Sequence, residues 1–365
     1  MLSNVFWGSL IVLPASKSLD LNWNYGSMLG MILSFQIFTG FFLSFYYSND
    51  SVLSFESVQY IMYEVNWGWM FRIMHFNGAS LFFVFLYLHF FKGLYNYSFR
   101  LKGVWLSGLM IMIFVMLESF MGYVLVWAQM SYWACVVITS LVGVIPFIGR
   151  DVILWIWGSF LVSCSTLKLF FALHFLLPWF VFVVVGFHLG SLHSSGSTST
   201  VGVYGGLEKV VFYPFYWVKD SYNLIFWMLF FVFVFYFPFL MGDPEMFIVS
   251  SILNSPVHIV PEWYFLFAYA ILRSVPSKIL GILLLLMSVL VFMFFLLLDN
   301  YASAIDLLNS FFVYCFIIFS VVLSWLGQCS VEYPFSIMSF FYTIFYFLLV
   351  LIIFFLFWFS KVLYS

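Results

Sequence analysis

The chain has 365 residues, of which 65% are hydrophobic, 25% aromatic and only 7% charged, and its formal net charge at pH 7 is −2. A soluble domain normally carries about 25% charged residues, so the composition excludes a soluble globular protein and indicates an integral membrane protein of many helices. The near-neutral charge without a basic run gives no reason to expect a nucleic-acid partner.

Eight apolar segments follow one another along the chain, and each is about long enough to cross a lipid bilayer as a helix. They lie at 22–46, 67–95, 103–127, 165–192, 221–240, 279–299, 311–327 and 336–360. The predicted fold class is therefore all-α, a polytopic membrane protein with eight transmembrane helices.

An even number of spans places both termini on one side of the membrane, which we call the terminal side. Seven of the twelve basic residues fall there: Lys17, Lys92, Arg100, Lys102, Lys209, Lys219 and Lys361. The acidic residues crowd the opposite side, the acidic side: Asp50, Glu56, Glu64, Asp151, Asp243, Glu245, Glu262 and Glu332. The excess of Lys and Arg predicts that the terminal side faces the cytoplasm or, in a mitochondrion, the matrix.

The second and fourth segments each carry two histidines fourteen residues apart, His75 with His89 and His174 with His188. On a helix this interval returns a side chain to nearly the same face about 21 Å further along. The two segments run in the same direction, so His75 matches His174 in depth near the acidic side, and His89 matches His188 nearer the terminal side. Neutral imidazole binds haem iron well, and two axial imidazoles leave no open position, which predicts two electron-transferring haems. The cysteines form no C-x-x-C-H motif, which argues against covalent haem attachment.

Glycines in the first and third segments repeat the same interval. Gly26 and Gly40 are fourteen residues apart, and so are Gly108 and Gly122. Glycine lets a flat macrocycle lie against a helix backbone, although small residues are also common at ordinary helix contacts. The shared interval favours the haem interpretation, with four helices around each macrocycle.

Haem propionates need cations or hydrogen-bond donors near the membrane surfaces. Arg72 lies three residues before His75 and Lys92 three residues after His89, each on the surface side of its histidine. Further candidate donors are Ser98, Arg100 and Trp105. The alternative is that the cations simply extend to the membrane interface.

One acid lies inside a predicted span. Glu118 belongs to the third segment, where an acidic side chain is costly. It is either protonated or faces a wet route, and the sequence leaves both alternatives open. Two long apolar connections, 129–158 and 241–278, lie on the acidic side and are predicted to pack over the bundle.

Several motifs resemble the cytochrome b family, the dihaem subunit of quinol–cytochrome c reductase, over nearly the whole chain. They are NYGSMLG, FRIMHFNGAS, MGYVLVWAQMSYW, KD at 219–220, SPVHIVPEWYFLFAYAILRS and WLGQ at 325–328, together with the double histidine spacing. The resemblance implies a low-potential haem at His75 and His174 and a high-potential haem at His89 and His188. It also implies a dihaem four-helix bundle over 1–205 and a second membrane domain over 206–365.

The resemblance implies a quinol-oxidising pocket beside the low-potential haem, bordered by the PEWY segment. Candidate residues there are Pro261, Glu262, Tyr264, Tyr269, Phe120, Tyr123, Ala134 and Ile138. Glu262 would accept a quinol proton, although it could also be a simple acid at the start of a helix. The family usually has PWGQ at 126–129 and glycine at 134, so we expect the pocket of this chain to differ in shape.

A second quinone site is expected on the terminal side, near the high-potential haem. His193, Lys219, Asp220 and Ser27 lie where spans meet that surface and offer donors and an acid for quinone reduction. The alternative is a cluster of interfacial charges without a ligand.

As implied by the resemblance, the chain transfers electrons from ubiquinol or a related quinol through two b-type haems to quinone, coupled to proton translocation. The implied partners are a Rieske iron–sulfur protein, a c-type cytochrome subunit, core and accessory subunits, and a second copy in a homodimeric complex. The implied location is the mitochondrial inner membrane, and the high phenylalanine content fits an organelle gene. Two alternatives remain: a dihaem anchor of a quinone-linked dehydrogenase without electron bifurcation, and a transporter or channel without a redox role.

Overall fold

The computed structural model describes residues 8, 11–199, 208–298 and 306–364, and for residues 306 and 360–364 the backbone alone. Eight helices in these ranges are long and apolar enough to cross a membrane: Leu21–Leu43, Gly68–Tyr95, Lys102–Val124, Cys164–Ser195, Phe215–Tyr236, Lys278–Leu297, Leu307–Gln328 and Phe335–Phe359. The predicted all-α fold with eight spans is thereby confirmed.

The α-helices are labelled in chain order. They are α1 Asn24–Leu43, α2 Ser54–Tyr63, α3 Gly68–Tyr95, α4 Lys102–Val124, α5 Gln129–Ser140, α6 Gly149–Trp157, α7 Cys164–Ser195, α8 Phe215–Ser221, α9 Asn223–Tyr236, α10 Leu266–Arg273, α11 Lys278–Leu290, α12 Asp306–Gln328 and α13 Phe335–Tyr364. Two short antiparallel strands, β1 Pro14–Ser16 and β2 Lys209–Val211, tie the segment before α1 to the segment before α8.

The fifth span is the one whose predicted position differs most. It begins at Phe215 rather than 221 and ends at Tyr236 rather than 240. Lys219 and Asp220 interrupt the apolar run, which hid the first helical turns from a hydropathy argument. The predicted domain boundary between 205 and 206 lies outside the described residues.

Helix α3 is the most buried of the first four spans. Half of the residues in its most apolar 18-residue stretch are buried, whereas 17% are buried in the corresponding stretch of α7. Gln36 of α1 donates from Nε2 to the backbone carbonyl of His75, at 3.0 Å. A Cβ at Gly78 would lie 2.3 Å from Oε1 of that glutamine, so a larger residue there would displace the glutamine side chain from this contact. The contact fixes the rotation of α3 against α1 and thus the direction of its histidines.

The two long connections on the acidic side are hydrogen-bonded to each other. Gln129, at the start of α5, donates to the carbonyl of Asn254 at 2.5 Å and accepts from the backbone N–H of Ser251 at 2.7 Å. The indole of Trp133 donates to the carbonyl of Ser251 at 3.0 Å. These contacts hold the connection that carries the PEWY segment against α5.

Candidate functional site

The four predicted histidines meet as two pairs of rings, one pair at each depth. The ring centroids of His75 and His174 are 6.2 Å apart, and those of His89 and His188 are 6.3 Å apart. A metal–imidazole bond is about 2 Å and the ring centroid lies about 1 Å beyond the nitrogen, so two axial rings on one metal have centroids about 6 Å apart. Both pairs therefore have the spacing that a bis-histidine metal requires.

Hydrogen bonds fix the tautomer of three of these rings. Thr39 donates its hydroxyl hydrogen to the carbonyl of Phe35, at 2.9 Å, and so accepts from Nδ1 of His75, also at 2.9 Å. Ser107 donates to the carbonyl of Gly103 at 2.7 Å and accepts from Nδ1 of His188 at 2.9 Å. With the proton on Nδ1, the Nε2 lone pair is free to bind a metal.

The third ring, His174, directs its Nδ1 at two oxygens of one residue. The carbonyl oxygen of Glu118 lies 3.0 Å from Nδ1, and the carboxyl Oε1 of the same residue lies 2.6 Å from it. This nitrogen also carries the proton, because both neighbours are acceptors. Neither alternative for Glu118 that the sequence left open named this contact.

Each predicted glycine lies against one of the histidine rings. A Cβ at Gly40 would lie 2.9 Å from Cε1 of His75, and one at Gly122 would lie 2.4 Å from Cε1 of His174. The corresponding distances are 3.4 Å from Gly26 to His89 and 3.2 Å from Gly108 to His188. A Cβ at Gly40, Gly108 or Gly122 would crowd the ring that it faces, most severely on the acidic side, whereas the contact at Gly26 would be an ordinary one.

These observations fit two b-type haems. Among the described residues no three His, Cys, Asp or Glu side chains come together as a metal site, so each metal would take only two ligands from the protein. A porphyrin supplies the remaining four ligands of an octahedral iron. Paired rings, free Nε2 atoms and glycine-lined approaches together suit that arrangement.

A cavity of about 230 Å³ joins the acidic-side pair to the PEWY segment. The predicted residues that line it are Gly40, Arg72, His75, Gly122, Tyr123, His174, Glu262 and Tyr264. Tyr264 is held in place because its ring stacks on Phe83 of α3, with centroids 4.0 Å apart, and its carbonyl accepts from the hydroxyl of Tyr87. Candidate haem ligands and candidate quinol-binding residues thus share one space.

Glu262 is an unusual carboxyl group. Burial, together with the nearby charge of Asp243, raises its pKa to about 7, although the Arg72 guanidinium partly opposes both effects. At neutral pH the group can therefore take up or release a proton with little cost. A simple helix-start acid exposed to water would not have this property.

The predicted propionate partners differ in availability. Arg72 lines the cavity and its guanidinium lies 5.6 Å from the ring centroid of Phe76. The ammonium of Lys92 lies 4.2 Å from the ring centroid of Trp23. Ser98 bonds Thr198 at 2.9 Å. Trp105 differs, because its one N–H donates to the carbonyl of Phe292 at 2.9 Å and is not free for a propionate.

On the terminal side, Ser27 and Asp220 come together. The hydroxyl of Ser27 lies 2.7 Å from Oδ1 of Asp220, and the amide of Asn223 donates to that hydroxyl at 3.0 Å. The ammonium of Lys219 donates to the carbonyl of Leu19. His193, near the end of α7, is partly buried. An open groove lined by Ser27 and Trp227 adjoins the cluster, and the buried indole N–H of Trp227 has no partner among the described residues.

Five predicted pocket residues do not line the acidic-side cavity: Phe120, Ala134, Ile138, Pro261 and Tyr269. Phe120 packs on Phe170, and Ala134 is buried inside α5. The hydroxyl of Tyr269 donates to the carbonyl of Ile259 at 3.1 Å, so it holds the chain leading into PEWY.

Sequence reasoning missed the hydroxyl partners of the histidines. Thr39 directly precedes Gly40, and Ser107 directly precedes Gly108. A hydroxyl residue beside a glycine that faces an imidazole is the signal that could have identified them. Gln36, which fixes the rotation of α3, gave no comparable signal.

Comparisons with known proteins identify the family to which this sequence is similar. The family model described as cytochrome b/b6/petB matches residues 10–196, and the model described as cytochrome b(C-terminal)/b6/petD matches residues 250–347. A cytochrome b of Caenorhabditis elegans is 59% identical over 364 residues, covering 100% of this chain and 98% of that protein. A cytochrome b of Apis mellifera ligustica is 41% identical over 345 residues, covering 93% of this chain and 90% of that protein.

A solved structure is similar throughout. A chain of a hyperthermophilic respiratory Complex III superposes with a TM-score of 0.92 at 27% identity, covering 98% of this chain and 96% of that one. The family models, the full-length relatives and the shared architecture lead to one conclusion: this chain belongs to the cytochrome b family.

Proposed function

We propose that this chain transfers electrons from quinol to quinone across the membrane, coupled to proton translocation, as the core subunit of a quinol–cytochrome c reductase. The observation that carries the proposal is the arrangement of two imidazole pairs with ring spacings of 6.2 and 6.3 Å, one of which shares a cavity with Glu262. A transporter or channel does not require imidazole pairs at the spacing of metal ligands. A dihaem anchor that only passes electrons does not require an acid such as Glu262 beside one imidazole pair.

His75 and His174 would hold a low-potential haem, and His89 and His188, about 21 Å further along the two helices, would hold a high-potential haem. When bound, the two haems supply one-electron transfer between the two membrane sides. Each pair of imidazoles would hold one haem iron, and the hydrogen bonds at Nδ1 of His75, His174 and His188 keep those three rings from turning away. A haem iron held by two imidazoles would have no position left for oxygen.

Quinol oxidation takes place in the cavity on the acidic side. Glu262 accepts a proton from the quinol hydroxyl, because its pKa of about 7 lets it receive a proton at neutral pH and release it again. Tyr123 and Tyr264 line the same cavity and orient the quinol ring. The apolar remainder of the lining keeps bulk water away from the reacting quinol.

Quinone reduction takes place on the terminal side. Asp220 and Ser27 form the hydrogen-bonded pair that delivers a proton to a quinone oxygen, and His193 and Lys219 border the same surface. The indole N–H of Trp227, which has no partner among the described residues, offers a further donor in the adjoining groove. Protons are thus released on one side and taken up on the other.

The acceptors of the other quinol electron belong to partner subunits of the complex. A Rieske iron–sulfur protein and a c-type cytochrome subunit receive the other quinol electron, with core and accessory subunits around a homodimer. The complex lies in the mitochondrial inner membrane with both termini in the matrix, and residues 1–205 form the dihaem domain beside a second domain of residues 206–365. The quinone is ubiquinone or a close relative.

A redox titration of the purified complex, followed by haem absorbance, tests the proposal. We expect two bis-histidine haems with unequal midpoint potentials. One haem, or none, contradicts the assignment of the four histidines. Quinol-dependent reduction of cytochrome c in the same preparation distinguishes the reductase from a dehydrogenase anchor, which would not catalyse it.

A further inference from the structure

Glu118 lies inside the membrane-spanning part of α4 and directs its carboxyl group at His174. The carboxyl oxygen Oε1 lies 2.6 Å from Nδ1 of His174, and the two side chains are only 16% and 22% exposed. Its second carboxyl oxygen is buried and has no hydrogen-bond partner among the described residues. An acid at this depth is costly and normally has a partner and a function, and the partner of Glu118 is a candidate haem ligand.

The contact distinguishes His174 from the other histidines of the two pairs. Nδ1 of His75 and of His188 each face a neutral hydroxyl, from Thr39 and Ser107 respectively. His174 is the one of the four whose ring contacts a carboxyl group within the described part of the chain. The two haem levels therefore differ in the acceptor behind one axial ligand.

A carboxyl acceptor changes what the opposite ring nitrogen offers to a metal. It draws the Nδ1 proton towards itself, and the imidazole becomes a more electron-rich ligand through Nε2. An electron-rich axial ligand stabilises the oxidised iron more than the reduced iron, which lowers the reduction potential. A neutral hydroxyl acceptor has the same direction of effect but is weaker.

We propose that Glu118 is a positioning residue that, through its hydrogen bond to His174, lowers the reduction potential of the haem held by His75 and His174. The inference rests on the proposed function, since it needs a haem at this pair. It adds a cause for the inequality of the two haems that lies in this chain's own residues. Glu118 does not touch substrate and acts only through the ligand.

The test is a redox titration of the assembled complex carrying Glu118→Gln, which keeps the length and an acceptor oxygen but removes the carboxylate. We expect the reduction equilibrium of one haem to shift about tenfold towards the reduced form, which corresponds to about 59 mV for one electron, while the other haem is unchanged. The matched control is Ser107→Ala, which removes a neutral acceptor behind His188. It should move only the other haem, and by less.

A second measurement needs no variant. In the oxidised parent complex, near-infrared magnetic circular dichroism reports how electron-rich the axial ligands are, and the haem at His174 should show its charge-transfer band at higher energy than the other haem. Coinciding bands overturn the inference, as do unchanged potentials in Glu118→Gln, and both results leave the proposed function intact. A parent complex with one haem or none would remove the proposed function itself.

Discussion

The two imidazole pairs have nearly the same spacing, 6.2 Å on the acidic side and 6.3 Å on the terminal side, yet their surroundings differ. On the acidic side the glycine Cβ positions are 2.9 and 2.4 Å from the rings, whereas on the terminal side they are 3.4 and 3.2 Å away. The acidic-side pair also shares its cavity with Arg72, Glu118 and Glu262. The terminal-side pair lacks a carboxyl contact in the described residues.

The comparison separates two requirements. Ring spacing is what a bis-histidine iron demands, so it is equal at both levels. Packing and charge around the rings are free to differ, and they set haem potential and proton chemistry. On the acidic side the glycines lie closer to the imidazole rings, and the carboxyl groups of Glu118 and Glu262 line the same cavity as the rings.

The largest effect is expected from Gly122→Ala. The new Cβ would lie 2.4 Å from Cε1 of His174, so the ring must move off the position that a shared iron requires. We expect the haem content to fall from two per chain to one, with the low-potential haem lost. Pyridine haemochrome quantification of the purified complex measures this, and two retained haems would show that the ring can adapt.

Glu262→Gln should lower the rate of quinol oxidation by about 10² to 10⁴, the usual contribution of a general base. A raised pKa means that the parent keeps its proton up to about pH 7, so the accepting carboxylate form and the parent rate both grow as the pH rises through 7. The variant should lose this step in the pH profile of quinol oxidation.

The matched control for Glu262 is Asp243→Asn, which leaves the base in place. Because the charge of Asp243 helps to raise the pKa of Glu262, its removal should shift the step to lower pH while the plateau rate persists. An unchanged step in Asp243→Asn, or a retained step in Glu262→Gln, would mean that another group titrates.

Asp220→Asn tests the terminal side. Loss of the acid hydrogen-bonded to Ser27 should slow quinone reduction by about 10², the low end for proton transfer, because the groove is open and water can partly substitute. Stopped-flow reoxidation of the haems by added quinone measures it, with quinol oxidation expected to remain normal. A defect on the acidic side instead would contradict the division of roles.

The smallest effect is expected from Gly26→Ala, the matched partner of Gly122→Ala. Its Cβ would lie 3.4 Å from His89, an ordinary contact, and alanine favours a helix over glycine by about 1 kcal/mol. Both haems should remain and the thermal midpoint should stay equal or rise slightly. Loss of a haem here would remove the proposed difference in packing between the two levels.

Some features of the site followed from the sequence because they depend on position along a helix. The eight spans come from apolar length, and the depth of each histidine and glycine comes from counting residues at a fixed rise. The fifth span shows the limit of that reasoning, since Lys219 and Asp220 concealed helical turns that begin at Phe215.

Other features depend on rotation about the helix axis and on neighbours distant in sequence. Trp105 was a candidate propionate donor, but its indole N–H donates to the backbone carbonyl of Phe292, which is 187 residues away in the sequence. Tyr269 was a candidate pocket residue, but its hydroxyl holds the carbonyl of Ile259. Hydropathy and spacing do not define which way such side chains turn.

By itself, the sequence determined the class of protein, its eight spans, the pairing of histidines by depth and the resemblance to one family. Only the tertiary structure decided what lies behind three of the four rings: a threonine at His75, a serine at His188 and the Glu118 carboxyl group at His174. The reason is that the helical rise fixes depth from the sequence, whereas contacts between helices depend on their packing angles and rotations. For Glu118 that packing showed a contact with His174 that neither of the two alternatives had named.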